Sequence, residues 1–225
     1  MVFVPFARAT EGVALESKHH HESGGRWSVR RRFLRDMGAT MAGFALTKLP
    51  LAVAARPFEQ GRPGPPGSDP TAVQMIKNLR RANAVAERAM EQGHHPFGAI
   101  LVAADHETVL MEQGNIDSVN HAESTLARRA SEQFSEEERW AMTLYSTAEP
   151  CAMCAGTQYW ANIGRLVYGM SERQLLDLTG NSSENPTLDI PSRDVFSRGQ
   201  KDIRIFGPVD EVVEEIVELH RGFWT

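Results

Sequence analysis

Between Phe97 and Glu218, apolar runs of strand length alternate with stretches whose apolar residues recur at three- and four-residue intervals, and this alternation confines the fold. The strand-length runs are 97–103, 108–113, 141–146, 166–169 and 202–206, and the first two are joined across a polar turn as a hairpin. Helical spacing covers 71–92, with Gly93 as its stop, and then 122–132, 151–161 and 209–218. Strands alternating with helices predict helices packed on a largely parallel central sheet. Residues 180–200 carry no periodic pattern and contain Pro186 and Pro191, so they read as one long loop.

The chain is longer than this body. Its 225 residues, 41% hydrophobic and 24% charged, exclude a mainly disordered, collagen-like or multi-span membrane chain and suit one domain with an extension. The extension is N-terminal. Residues 1–55 read as an export leader: Arg30-Arg31-Arg32-Phe33-Leu34-Arg35 has the twin-arginine pattern, Gly38 to Thr47 is a short apolar region, and Ala52-Val53-Ala54 is a cleavage-type site. The expectation is a periplasmic or extracellular protein, or a cytoplasmic one if translation starts at Met37 or Met41. The apolar region is too short, and too soon interrupted by Lys48 and Pro50, to be a stable membrane anchor. His19-His20-His21 reads as a solvated polar tract. Residues 56–70, rich in Pro and Gly, read as a linker, and 71–225 as the folded domain.

Charge divides along the same line. Residues 1–54 hold eight Lys and Arg against four Asp and Glu, which leaves the remainder with 16 against 25, a net of −9. So acidic a body is a poor match for a phosphate backbone, which is held mainly by Lys and Arg. Nucleic acid is therefore not the expected partner, and a small neutral ligand is.

Two short motifs concentrate the chemistry: His121-Ala122-Glu123 and Pro150-Cys151-Ala152-Met153-Cys154, each at the start of a helical stretch. Cys151 and Cys154 are the only cysteines, which excludes a disulfide scaffold. Thiols three residues apart share a helix face, and a helix N-terminus favours thiolates, so the pair can converge on one ion. One imidazole and two thiolates make three protein ligands, the pattern of a catalytic zinc with an open fourth position. Spacing alone does not put His121 beside the cysteines. A redox dithiol is the other reading, but it lacks a thioredoxin-like context and leaves His121 unused; haem attachment fails because Ala155 stands where histidine is needed. Glu123 taken alone is a first-turn glutamate favoured by the helix dipole.

An H-x-E motif followed by P-C-x-x-C is the signature of zinc nucleobase and nucleoside deaminases. With STAEPCAMCAGTQYWANIGRLVYG at 146–169, HPFGAILV at 95–102 and DSVNHAE at 117–123, residues 71–225 resemble the cytidine deaminase-like superfamily. The likeness lies in the branch that holds guanine deaminases, bacterial and fungal cytosine deaminases and tRNA adenosine deaminases.

The resemblance implies a three-layer α-β-α fold with a central mixed five-stranded sheet and helices on both faces. It implies one zinc ion per subunit, held by His121, Cys151 and Cys154, with Glu123 as the catalytic proton carrier. On the substrate side it implies stacking of the base by Phe97 and Trp160, with contacts from the Gly98-Ala99 backbone, Asn115 and Ala122. Asn115 lies only six residues before His121, so the intervening loop is short or Asn115 is a turn residue. Phe223 and Trp224 are candidates to reach the pocket. Glu184 and Asp189 lie where the family's guanine-reading acid is found, but in no matching motif. The implied activity is hydrolytic release of ammonia from a free nucleobase or nucleoside, guanine or a related aminopurine first and cytosine or cytidine next. tRNA adenosine deamination and a noncatalytic zinc-folded module are the alternatives. A homodimer is expected, as relatives complete their pockets across a subunit interface.

Overall fold

A computed structural model describes residues 61–180 and 186–224. The expected leader, and residues 56–60 of the expected linker, lie outside them.

The twenty-residue helix α1 (Ala72–Glu91) begins at Thr71, whose hydroxyl accepts the Gln74 amide while the Gln74 side chain accepts the Thr71 amide. This reciprocal cap satisfies amides that a helix start otherwise leaves unpaired. The hairpin follows as β1 (Gly98–Val102) and β2 (Val109–Gly114). Next come α2 (Ala122–Gln133), α3 (Glu136–Ala141), β3 (Thr143–Ala148), α4 (Ala152–Trp160) and β4 (Arg165–Met170). The chain continues through α5 (Glu172–Thr179), α6 (Ser192–Ser197), β5 (Arg204–Phe206) and α7 (Asp210–His220).

The sheet order is β2-β1-β3-β4-β5. β1 runs antiparallel to both β2 and β3, whereas β3, β4 and β5 are parallel, so the sheet is mixed rather than largely parallel. The hairpin explains this, because a short turn can join only antiparallel strands.

Side chains of β1 alternate between two cores. Ile100 and Val102 pack with Leu79, Val85 and Ile216 under α1 and α7, while Ala99 and Leu101 pack with Leu126, Ala127 and Ala155 under α2 and α4. Helices thus cover both faces. Strands buried on both sides explain the continuous apolar runs.

Two further findings depart from the sequence reading. Helices α3, α5 and α6 are six, eight and six residues long. Such lengths give too few turns for a periodic signal, and α6 begins directly after Pro191 inside the expected loop. The second half of the expected linker is also packed against the body. Arg62 pairs with the chain at Lys201, and the fully buried Arg165 donates to the Pro66 carbonyl at 2.6 Å and to Asp69 at 3.3 Å. Proline and glycine prevent a regular element here, yet one carbonyl and one acid of the segment help satisfy a buried guanidinium.

Candidate active site

His121 and Cys151 are the N-cap residues of α2 and α4, both in extended backbone and neither capping with its side chain. Their side chains are therefore available to each other. The His121 Nδ1 lies 3.6 Å from the Cys151 Sγ and 3.6 Å from the Cys154 Sγ, and the three donor atoms all fall within 4.8 Å of one another. A tetrahedral zinc, with bonds of about 2.3 Å to sulfur and about 2.05 Å to nitrogen, separates S from N by about 3.6 Å. The three residues fit the ion by spacing and by donor type.

The electrostatics of the group agree. A hydrogen bond from the Cys154 thiol, with help from His121, draws the Cys151 thiol down to about 4. Cys154, which holds that shared proton and is buried, is pushed up. The Cys151 contact also raises His121. Cys151 is thus readily a thiolate, the form in which sulfur binds metal.

Glu123 stands in the first turn of α2, 5% exposed, and its carboxylate accepts the Ser146 hydroxyl of β3 at 2.6 Å. Burial raises its pKa, against the pull of Ser146 and His121. A carboxyl that ionises less readily than usual is suited to hold and return a proton near neutrality.

His121, Glu123 and Cys151 line a cavity of about 290 Å³ together with Phe97, Asn115, Glu149, Glu172 and Leu188, with Cys154 fully buried behind them. Phe97 and Asn115 are linked, since the Asn115 amide donates to the Phe97 carbonyl at 2.9 Å. Asn115 reaches the cavity despite its closeness to His121 because the next turn is tight. Asp117 accepts the amides of Val119 and Asn120 at 2.8 and 2.7 Å, which reverses the chain within a few residues.

The other expected substrate contacts lie elsewhere. Trp160 is 77% exposed beside Tyr159, in a surface groove with Arg128 and Gly156, and does not line the cavity. It is six residues beyond Cys154, about 240° around the helix at 3.6 residues per turn, off the buried face. Gly98 serves packing: a Cβ there would stand 2.3 Å from the Ala82 carbonyl oxygen of α1. Ala99 and Ala122 are fully buried in the core beneath α2 and α4. Asp189 pairs with Arg173 at the surface, and Glu184 lies outside the described residues.

Several cavity residues were not anticipated. Glu149 and Glu172 are buried acids, and His95 belongs to an aromatic wall. In that wall His95 meets Trp224 at 5.0 Å between ring centroids, Phe97 meets His220 at 5.2 Å, and the Trp224 indole donates to the His220 Nδ1 at 3.2 Å. Phe223 and Trp224 thus back residues that line the cavity without lining it themselves. Glu149 directly precedes the Pro-Cys motif, which was a usable signal; Glu172 and His220 carry none.

Comparison with known proteins agrees with this geometry. The cytidine and deoxycytidylate deaminase zinc-binding region matches residues 73–170. A Schizosaccharomyces pombe protein described as a "probable cytosine deaminase" is 37% identical over 150 residues, which span 65% of this chain and 90% of that protein. The guanine deaminase of Bacillus subtilis is 34% identical over 95 residues, 40% of this chain and 60% of that protein. A crystal structure of an NE0047 variant in complex with 8-azaguanine shares the fold, with a TM-score of 0.52 at 16% identity, covering 74% of this chain and 96% of that one. The chain belongs to the zinc-binding cytidine and deoxycytidylate deaminase family.

Proposed function

We propose that this protein is a zinc-dependent hydrolytic deaminase of a free nucleobase or nucleoside. One observation carries the reading: Glu123, a buried carboxyl held by Ser146, lines one small cavity with His121 and Cys151, two members of a His/Cys/Cys group of zinc-binding dimensions. Zinc bound there supplies Lewis acidity and brings the ionisation of water down to about pH 7. His121, Cys151 and Cys154 hold the ion. Glu123 would accept one proton from the attacking water and pass it to the ring nitrogen, then take the second proton from the added hydroxyl and pass it to the amine, which leaves as ammonia. Phe97 offers a ring face to the base, and Asn115 offers polar atoms at its edge.

The volume supports a small substrate, since about 290 Å³ lies at the lower edge of the roughly 300–1,000 Å³ of ligand pockets. Guanine or a related aminopurine is the substrate proposed first. Cytosine is a specific second reading, supported by the S. pombe relative that the chain matches over 90% of its length. The acidic body argues against tRNA. The exposed Trp160 and the neighbouring surface of α2 and α4 support a homodimer. The twin-arginine pattern supports export, and no helix of the described residues is long and apolar enough to cross a membrane.

The test is ammonia release from guanine, 2,6-diaminopurine, cytosine, their nucleosides and an adenosine-bearing anticodon stem-loop, with zinc-loaded protein. Turnover of a free base or nucleoside is expected. Turnover of the stem-loop alone sinks the reading, as does a zinc-loaded protein inert toward all of them.

A further inference from the structure

Three buried glutamates line the cavity, and two have partners. Glu123 accepts the Ser146 hydroxyl. Glu149 accepts the Ser192 amide at 2.8 Å, the Ser192 hydroxyl at 2.7 Å and the Glu172 amide at 3.2 Å. Glu172 is the third, 3% exposed, and its carboxyl has no hydrogen-bond or ion-pair partner among the described residues. It is also held in place. Glu172 opens α5, whose start is fixed by the reciprocal cap of Ser171 and Gln174 and by the bond from the Glu172 amide to Glu149. A rigid element thus delivers a polar group to the cavity without a partner for it among the described residues.

Such a placement costs free energy, because a polar group withdrawn from water without a partner loses its solvation uncompensated. Burial, with Cys151, Glu123 and Glu149 nearby, pushes the Glu172 carboxyl up to about 8. At neutral pH it is then chiefly the neutral acid, one O–H donor beside one carbonyl acceptor. That pair is complementary to a ring N–H next to a ring carbonyl. Cytosine presents such an edge at N1 and C2, and guanine at N1 and C6, while adenine has no carbonyl and cytidine has lost the N1 hydrogen.

Resting on the nucleobase reading above, we propose that Glu172 is a specificity-determining residue whose carboxyl hydrogen-bonds the N–H and carbonyl edge of a free oxo-base. Its contribution is to binding and orientation, and Glu123 remains the proton carrier.

The test compares Glu172→Leu and Glu172→Gln with the unchanged chain, all with zinc content measured. Ammonia release is followed with cytosine, guanine and adenine, and thermal shift with uracil and xanthine, which keep the oxo edge and do not react. Glu172→Leu is expected to lower kcat/KM for the preferred oxo-base about 10²-fold, mainly through KM, and to abolish the thermal shift. Glu172→Gln keeps a donor and an acceptor in the same shape and should stay within about tenfold. Without a base, the Leu variant should melt no lower than the unchanged chain. Unchanged kcat/KM and thermal shift in the Leu variant overturn the proposal. So does a Leu variant that melts far below the unchanged chain, because the carboxyl then serves the fold. If the unchanged chain deaminates no base but shows a uracil or xanthine shift that requires Glu172, the deaminase reading fails and the proposal stands. If it shows neither activity nor shift, both fail.

Discussion

On the floor of the cavity, His121, Glu123, Cys151 and Cys154 come from the starts of two helices, and each side chain has a polar partner. Along the wall, Phe97, Glu172, Leu188 and His220 with Trp224 come from four separate parts of the chain, and their contacts are mostly ring faces and apolar surface. The floor is preorganised for one chemistry, since its donors already stand at metal-binding spacing. The wall is assembled piecemeal, so its parts can change shape and polarity without disturbing the reaction. Reaction type should therefore depend on the floor and substrate choice on the wall.

Substitutions can break that division, and the largest effect is expected at the metal group. Cys154→Ser should take zinc below one equivalent and lower ammonia release by about 10⁴-fold or more, read by metal analysis beside a turnover assay. A variant with full zinc and full activity would remove Cys154 from the ligand set. Glu123→Gln is expected next, costing about 10²–10⁴-fold in kcat at unchanged zinc content. Equal losses in zinc and activity would mean that Glu123 supports the metal rather than the proton transfer.

The wall should show itself first through pH. Burial, and secondarily the charge of His95, lower His220 to about 4 from its usual 6.5. The folded state therefore resists protonating His220 while the unfolded chain takes up the proton. Stability contributed by a neutral His220 is complete above pH 6.5 and declines as pH falls toward about 4, by up to about 3 kcal/mol. Thermal melts across that window should fall less steeply in His220→Gln; equal slopes would argue against it. The smallest effect is expected at Phe97, where Phe97→Leu should raise KM about tenfold with kcat nearly unchanged, because a stacking face is lost but apolar contact remains. A collapse of kcat instead would show the wall taking part in the chemistry.

The floor was legible in the sequence because each half lies within four residues and opens a helix, so spacing finds each half, while the family resemblance is what joined them. The strands were legible for a related reason, burial on both faces. The wall was not. Glu172 becomes a cavity residue only when β4 and α5 bring it back beside Glu149, and His220 comes to back Phe97 only when α7 folds across β4. Trp160 shows the converse. Its place in a motif-rich stretch suggested the cavity, but the helical period turns it outward, and the period was the better guide.

Where the globular unit starts is set by Arg165. Its guanidinium sits inside the body, yet two of its partners, Pro66 and Asp69, precede α1. A chain cut at Thr71 would retain α1 to α7 and β1 to β5 and strand a positive charge in the interior, a loss of about 3–5 kcal/mol for a broken buried pair. A chain beginning at Gly61 should lose none of it. Shortening from the N-terminal side therefore has a limit ahead of Pro66, and comparing the melting temperatures of the two shortened chains would show whether the loss falls between residues 61 and 71.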